Sequence, residues 1–431
     1  MSTDRQTWLG VDRLLDGSGQ AARMDVVVGL SGSTITWVGS KDELDEDRRR
    51  NVQWFAGCTL LPGLIDMHTH LSLAADGRSY EEMAASDDRT MVDIAARNAL
   101  IHLQAGVTTV RENGARNNVG FTVRDAIAAG DFQGPRVLAS GRPITPSRGH
   151  FHWCNGVADG EAGVRAAAKR LVAQGADHLK IMASGGGTKS SDPRLPSYST
   201  AELAAAVDVA HQHERLTTAH CRATESLARA RSARVDCVEH AEFLAPDGEI
   251  HFDRGIAESL VESGVYISPT LQAFGHYRLL ELRRLALERG LTTEEQLDRD
   301  RLERHLEAHL RTFAALLELG AGPRVVYGSD AGPHVTRFGD VVFGLQLMVE
   351  GGMTRSQAIA AATGVAAGAC GRTDIGAIAV GKRADCIIVR GDPSADIAAL
   401  GRMVAVYKDG ALMHATTQDF AAASRGSAPP R

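Results

Sequence analysis

The chain runs to 431 residues, 44% hydrophobic and 23% charged, with a net charge of −6. That length can bury one large barrel-type domain plus a smaller one, and a mildly acidic surface argues against nucleic-acid or anionic-membrane partners. No apolar run approaches the roughly 20 residues that span a bilayer, the first ten residues lack a signal-peptide pattern, and six cysteines scattered without a C-x-x-C spacing fit reduced thiols in a cytosolic protein.

In chain order, 24–28, 34–38 and 52–59 predict short antiparallel strands, with turns at 29–32 and 39–41. A different rhythm follows. Apolar, β-branched runs at 60–66, 108–111, 136–140, 178–183, 216–221, 237–243, 266–270 and 325–329 alternate with helical segments such as 160–174, 201–214, 225–231 and 255–263. Eight strands alternating with helices predict an α/β fold, a parallel (β/α)8 TIM barrel with its site at the C-terminal ends of the strands. Residues 276–320, rich in Leu, Glu and Arg at helical spacing, read as a lid over the barrel mouth, a subunit contact or a solvated elaboration. Strands at 384–389 and 403–408, with a turn at Asp409-Gly410, return to the first pattern. The expected organisation is a composite β-sandwich from 1–59 and 375–431 around a barrel at 60–374.

The ends of the predicted barrel strands carry the chemistry. The first run closes on His68 and His70, whose period-2 spacing sends both imidazoles to one side. Two neutral imidazoles that close suit a transition metal, zinc first, although a His-x-His pair alone is a weak signal. Lys180 sits mid-strand between Leu179 and Ile181, where an ammonium is costly unless neutralised, or unless its stem snorkels along apolar surface. Thr-Thr-Ala-His-Cys-Arg supplies His220, Cys-Val-Glu-His-Ala-Glu supplies His240, and Val-Val-Tyr-Gly-Ser-Asp supplies Asp330 at the entry to a Gly-containing loop. Five strands each placing a ligand, or a ligand precursor, at the same end is hard to explain as packing.

This pattern resembles the amidohydrolase superfamily. Leu61-Pro62-Gly63-Leu64-Ile65-Asp66 leading to His68 and His70 is similar to that family's first-strand metal motif, and His220, His240 and Asp330 match its fifth-, sixth- and eighth-strand ligands. The segment from Ile375 to Asp385 resembles the family's closing sandwich segment, so the likeness runs from about Met24 to Asp409. It implies that Lys180 is carboxylated by CO2 and bridges two divalent ions, and that the protein is a homo-oligomer. The wording at 106–111, at 177–181 and in the triple glycine 185–187 is closest to the branch of Xaa-Pro dipeptidases and ochratoxin-type amidases.

The chemistry expected of such a set is hydrolytic. His68, His70 and Asp330 would hold one ion, His220 and His240 the other, with a shared hydroxide attacking a carbonyl carbon. Asp330 would carry a proton to the departing nitrogen, which suits amide C–N cleavage. His150, in Arg148-Gly149-His150-Phe151-His152, resembles a Gly-His position that this branch places near the substrate carbonyl, the alternative being a loop histidine, and His152 is a weaker candidate. Arg222 follows His220 by two residues, so it faces the same cavity and either pairs with a substrate carboxylate or is held by Glu225 or Glu242. The dipeptidase-like relatives carry Tyr there, so Arg222 is a departure. The triple glycine with Lys189 lacks the P-loop register, Cys221 points away from the site, and His334 could rim it. The expected substrate is a small molecule, an N-acyl amino acid or dipeptide-like compound. A neutral carbamate, urea or arylamide is the alternative, and a non-catalytic scaffold a remote one.

Overall fold

The computed structural model describes residues 6–416 together with Phe420, so the outermost parts of the expected sandwich segments lie outside the described residues. From the N-terminus come β1 (Thr7–Leu14), β2 (Arg23–Ser31), β3 (Thr34–Ser40) and β4 (Val52–Pro62), then the barrel strands β5 (Leu64–Thr69), β6 (Val107–Glu112) and β7 (Arg136–Ala139). The barrel continues with β8 (His178–Met182), β9 (Leu216–Ala223), β10 (Cys237–Leu244) and β11 (Tyr266–Ser268). The chain closes with β12 (Cys386–Arg390), β13 (Met403–Lys408) and β14 (Ala411–Ala415).

Strands from both ends form one seven-stranded sheet in the order β14-β13-β12-β4-β1-β2-β3. β4 runs parallel to β1 and antiparallel to β12, so it ties the two termini together. Leu9, Val11, Val28, Phe55, Leu60, Ile388 and Val404 fill its core. β1 has no counterpart in the sequence reading, because Trp8, Leu9, Gly10 and Val11 are buried in succession and leave no alternation to detect. Residues 60–66 also differ from expectation. They split at Gly63 into β4 and β5, and the expected domain border after residue 59 falls inside β4. Pro62 pairs with Cys386 in the sandwich while Leu64 pairs with Val107 in the barrel. The crossing needs glycine, since a Cβ at Gly63 would stand 2.1 Å from Thr108 Oγ1.

The barrel strands form two parallel ladders, β5-β6-β7 and β11-β10-β9-β8. Single bridges join them: Ile144 to Ile181 on one side, and on the other Val325 to Ile267 and Ala331 to Thr69. The expected eighth strand at 325–329 therefore runs between β11 and β5 without a regular ladder. The Leu/Glu/Arg-rich stretch folds as two cover helices, His276–Glu288 and Thr293–Glu318, separated at Gly290 in the left-handed region. Thr292 and Glu295 cap the second reciprocally, which starts the helix sharply. Among the described residues no helix is long and apolar enough to cross a membrane.

Candidate metal centre

Period-2 alternation on β5 carries Asp66, His68 and, just past the strand end, His70 to one side, and each imidazole is then oriented by its Nδ1. His68 Nδ1 donates to Glu239 Oε2 at 2.8 Å, and His70 Nδ1 donates to the Gly114 carbonyl at 3.2 Å. Both Nε2 lone pairs are thereby left for the cavity, 3.3 Å apart, with Asp330 Oδ1 3.4 and 3.5 Å away. On β9 the alternation brings Thr218, His220 and Arg222 to one face. His220 Nε2 donates to the Gly185 carbonyl at 3.0 Å, so its Nδ1 is the free donor atom, 2.8 Å from His240 Nε2. His240 Nδ1 meets Thr270 Oγ1 at 2.8 Å. Donor atoms of His68, His240 and Asp330 all lie within 4.8 Å of one another.

Two of these residues reach the site by departures from regular backbone. Glu239 already points into the barrel, so simple alternation would send His240 outward. His240, Ala241 and Phe243 instead adopt φ of 70°, 46° and 55°, and the β9–β10 register breaks between His240 and Leu244. That irregularity re-aims the imidazole. Asp330 also lies at positive φ, 52°, with its N–H donated to the His68 carbonyl at 2.8 Å.

The electrostatics suit ligation. Burial holds the pKa values of His70, His150, His220 and His240 well below the usual imidazole value, which keeps them neutral. Burial likewise lowers the Lys180 ammonium and raises the Asp330 carboxyl. The Lys180 amine is fully buried and has no hydrogen-bond partner. Such an atom is costly unless something binds it.

Beneath the donor atoms lies a buried ionic layer that sequence reasoning missed. Glu239 accepts from His68, Arg111, Asn113 and Thr218, and Arg111 also donates to the Met67 carbonyl at 2.8 Å. Asp66 Oδ1 accepts the N–H groups of His68 and Ser329, pinning the last barrel segment to β5. A charged residue inside the apolar run of β10 was the available signal for Glu239, the same signal that singled out Lys180.

Above the donor atoms opens a cavity of about 300 Å3, walled by Tyr80, His150, Phe151, Arg222, Phe274 and His334, among others. His150 accepts the Thr188 N–H at Nδ1, 3.4 Å, with Thr188 Oγ1 at 2.9 Å, which leaves its proton on Nε2. His152, expected beside it, does not line the cavity. Its Nδ1 donates to the Gly149 carbonyl at 3.0 Å. Arg222 does line it, but its Nε and Nη2 both donate to the fully buried Glu242, and its guanidinium lies 4.8 Å over the Phe274 ring. His305 of the second cover helix donates to Glu242 Oε1 at 2.8 Å. Burial alone would raise the Glu242 carboxyl, but the Arg222 charge holds it far below the usual range. Cys221 is buried in the hydrophobic core.

The chain is similar to known proteins along most of its length. A family model described as the amidohydrolase family matches residues 59–413. Ochratoxinase of Aspergillus niger is 27% identical over 415 residues, covering 89% of this chain and 81% of the relative. The crystal structure of a Xaa-Pro dipeptidase with bound methionine superposes with a TM-score of 0.79 at 26% identity, covering 95% of this chain and 99% of that one. A. niger ochratoxinase itself superposes with a TM-score of 0.78 at 25% identity, covering 96% of each chain.

Proposed function

Because the chain belongs to the amidohydrolase family, we propose that it is a two-metal hydrolase that cleaves an amide C–N bond in a small N-acyl amino acid or dipeptide-like substrate. Five strand ends meet with imidazoles, one carboxylate and a lysine amine that nothing else in the fold satisfies. That unpartnered amine carries the reading. Burial lowers the Lys180 ammonium toward the free amine that adds CO2, and the resulting carbamate would give two cations an anionic bridge. His68, His70 and Asp330 would hold one ion and His220 and His240 the other. Bound divalent ions, with zinc the first candidate, supply a water of lowered pKa and polarise the scissile carbonyl.

The chain's own groups do the rest. Asp330, touching the nitrogens of both His68 and His70, takes a proton and delivers it to the leaving nitrogen, which cannot depart as an anion. His150 presents its Nε2–H to the carbonyl oxygen as negative charge develops there. Glu239 holds the His68 ring and Gly114 the His70 ring in the tautomers that ligation needs. Arg222 reads the free carboxylate of the substrate with the part of its guanidinium not engaged by Glu242.

One observation favours a second reading. The bidentate pairing with Glu242 already neutralises Arg222, which suits a neutral carbamate, urea or arylamide. Matched substrates separate the two: N-acyl amino acids and dipeptides against their carboxyl-blocked amides, with amine release followed in the metal-loaded enzyme. Cleavage confined to the free acids, lost in Arg222→Met through KM, supports the first reading. Preference for the blocked partners replaces it with the second.

A further inference from the structure

Three more histidines meet beside the cavity, where the two cover helices pack on the loop after β11. His276 opens the first helix, and His305 and His309 lie four residues apart on one face of the second. Their ring centroids are 5.7, 6.0 and 6.5 Å apart. Of six ring nitrogens, four are buried and make no hydrogen bond of good geometry: His276 Nε2, His305 Nδ1, and both nitrogens of His309, whose ring lies against the His240 backbone carbonyl. The remaining two are engaged. His276 Nδ1 donates to the Leu271 carbonyl at 2.6 Å, and His305 Nε2 donates to Glu242 at 2.8 Å. Buried polar atoms are rarely left unpaired, and four in one cluster call for an occupant.

We infer that His276, His305 and His309 form a further zinc site, separate from the strand-end centre, that clamps the cover helices to the barrel mouth. Each engaged nitrogen faces an acceptor, so a proton sits there and the opposite nitrogen is the one available to an ion. Glu242–His305 thus has the carboxylate–histidine arrangement that orients zinc ligands elsewhere. Size also fits. A point equidistant from the three centroids lies roughly 3.5 Å from each, and a zinc ion in the plane of an imidazole sits about 3.2 Å from its centroid, given a Zn–N bond of about 2.0–2.1 Å. Burial pushes His276 down to about 3, so it is a neutral ligand at pH 7.

As packed, the donor atoms of these three rings do not lie within 4.8 Å of one another. His309 must turn, giving up its contact with the His240 backbone carbonyl. The Phe274 ring, 5.6 Å from both His305 and His309, closes the side toward the catalytic cavity. His305 also lines that cavity. Three imidazoles and one water complete a tetrahedron. An ion there would stiffen the wall that carries Phe274 and, through Glu242, Arg222.

The full chain, loaded with zinc and dialysed, is compared with His309→Asn and His276→Asn by elemental analysis. Each variant should hold one zinc fewer per chain, whatever number the strand-end centre retains, and should lose the rise in melting temperature that added zinc gives the unmodified chain. Because a buried substitution can prevent folding, crystals of the unmodified zinc-loaded chain provide a second test. An anomalous peak at the zinc edge is expected between the cover helices. Equal zinc counts in well-folded variants, or a map with no peak there, would overturn the assignment.

Discussion

Replacing Glu239 by Gln tests the buried ionic layer beneath the donor atoms. Glu239 is fully buried and Arg111 is 3% exposed, so neither can turn to water. With glutamine at 239, Arg111 keeps the Met67 carbonyl and the Cys237 sulfur but no carboxylate. Removing one partner of a buried ion pair costs about 3–5 kcal/mol, whereas removing both is often nearly neutral. Glu239→Gln should therefore lower the unfolding free energy by about 3–5 kcal/mol, and Arg111→Met combined with Glu239→Gln should recover much of the loss. Urea titration of metal-stripped protein reads both values without a contribution from metal binding.

The acid dependence has a definite sign. Burial alone would raise the Glu239 carboxyl, but Arg111 and His68 hold it well below its unfolded value of 4.5. Its stabilising contribution is thus fully present above that pH and is lost as the pH falls through the depressed folded value. The stability gap between the parent chain and the variant should narrow below pH 4.5. A variant within 1 kcal/mol of the parent, or a double variant no more stable than the single one, would refute the ion-pair account.

Other substitutions address the chemistry. Asp330→Asn should cut kcat by about 10²–10⁴-fold, because the amide cannot carry a proton to the leaving nitrogen; unchanged turnover in metal-loaded protein would exclude that role. Lys180→Ala should lower the metal content measured by elemental analysis, and a small carboxylate such as formate should restore part of it by replacing the bridging anion. Metal content equal to that of the parent would mean that Lys180 bridges nothing. Gly186→Ala would push a methyl group to within 2.5–2.7 Å of the His150 ring. It should depress kcat while leaving the melting temperature within a few degrees, and full activity would remove His150 from the reaction.

Several features follow from local pattern alone. His68 with His70, and His220 with Arg222, share a face because side chains two apart on a strand always do. Asp330 stood out where an apolar run meets a glycine, and Lys180 because an amine between Leu179 and Ile181 must be reconciled with its surroundings. Residues whose surroundings are set elsewhere in the chain were harder to read. The apolar run at 60–66 is continuous in sequence, yet Gly63 divides it because its two halves pair with strands more than 270 residues apart, at Cys386 and at Val107. His240 reaches the site only through a break in strand register that alternation cannot foresee.

Arg222 shows the division most clearly. Its place on the cavity wall is local, two residues beyond His220, and was legible from spacing. How its charge is balanced there depends on Glu242, 20 residues on, and on His305, which the second cover helix brings to the same carboxylate. Strand and helix periodicity, a property of neighbours along the chain, was enough to place the barrel and the strand ends with their candidate donors, His240's orientation excepted. Tertiary structure alone decided which imidazole nitrogen faces the cavity, which buried charges neutralise one another and where the cover helices lie, because those energies belong to pairs that only folding brings together.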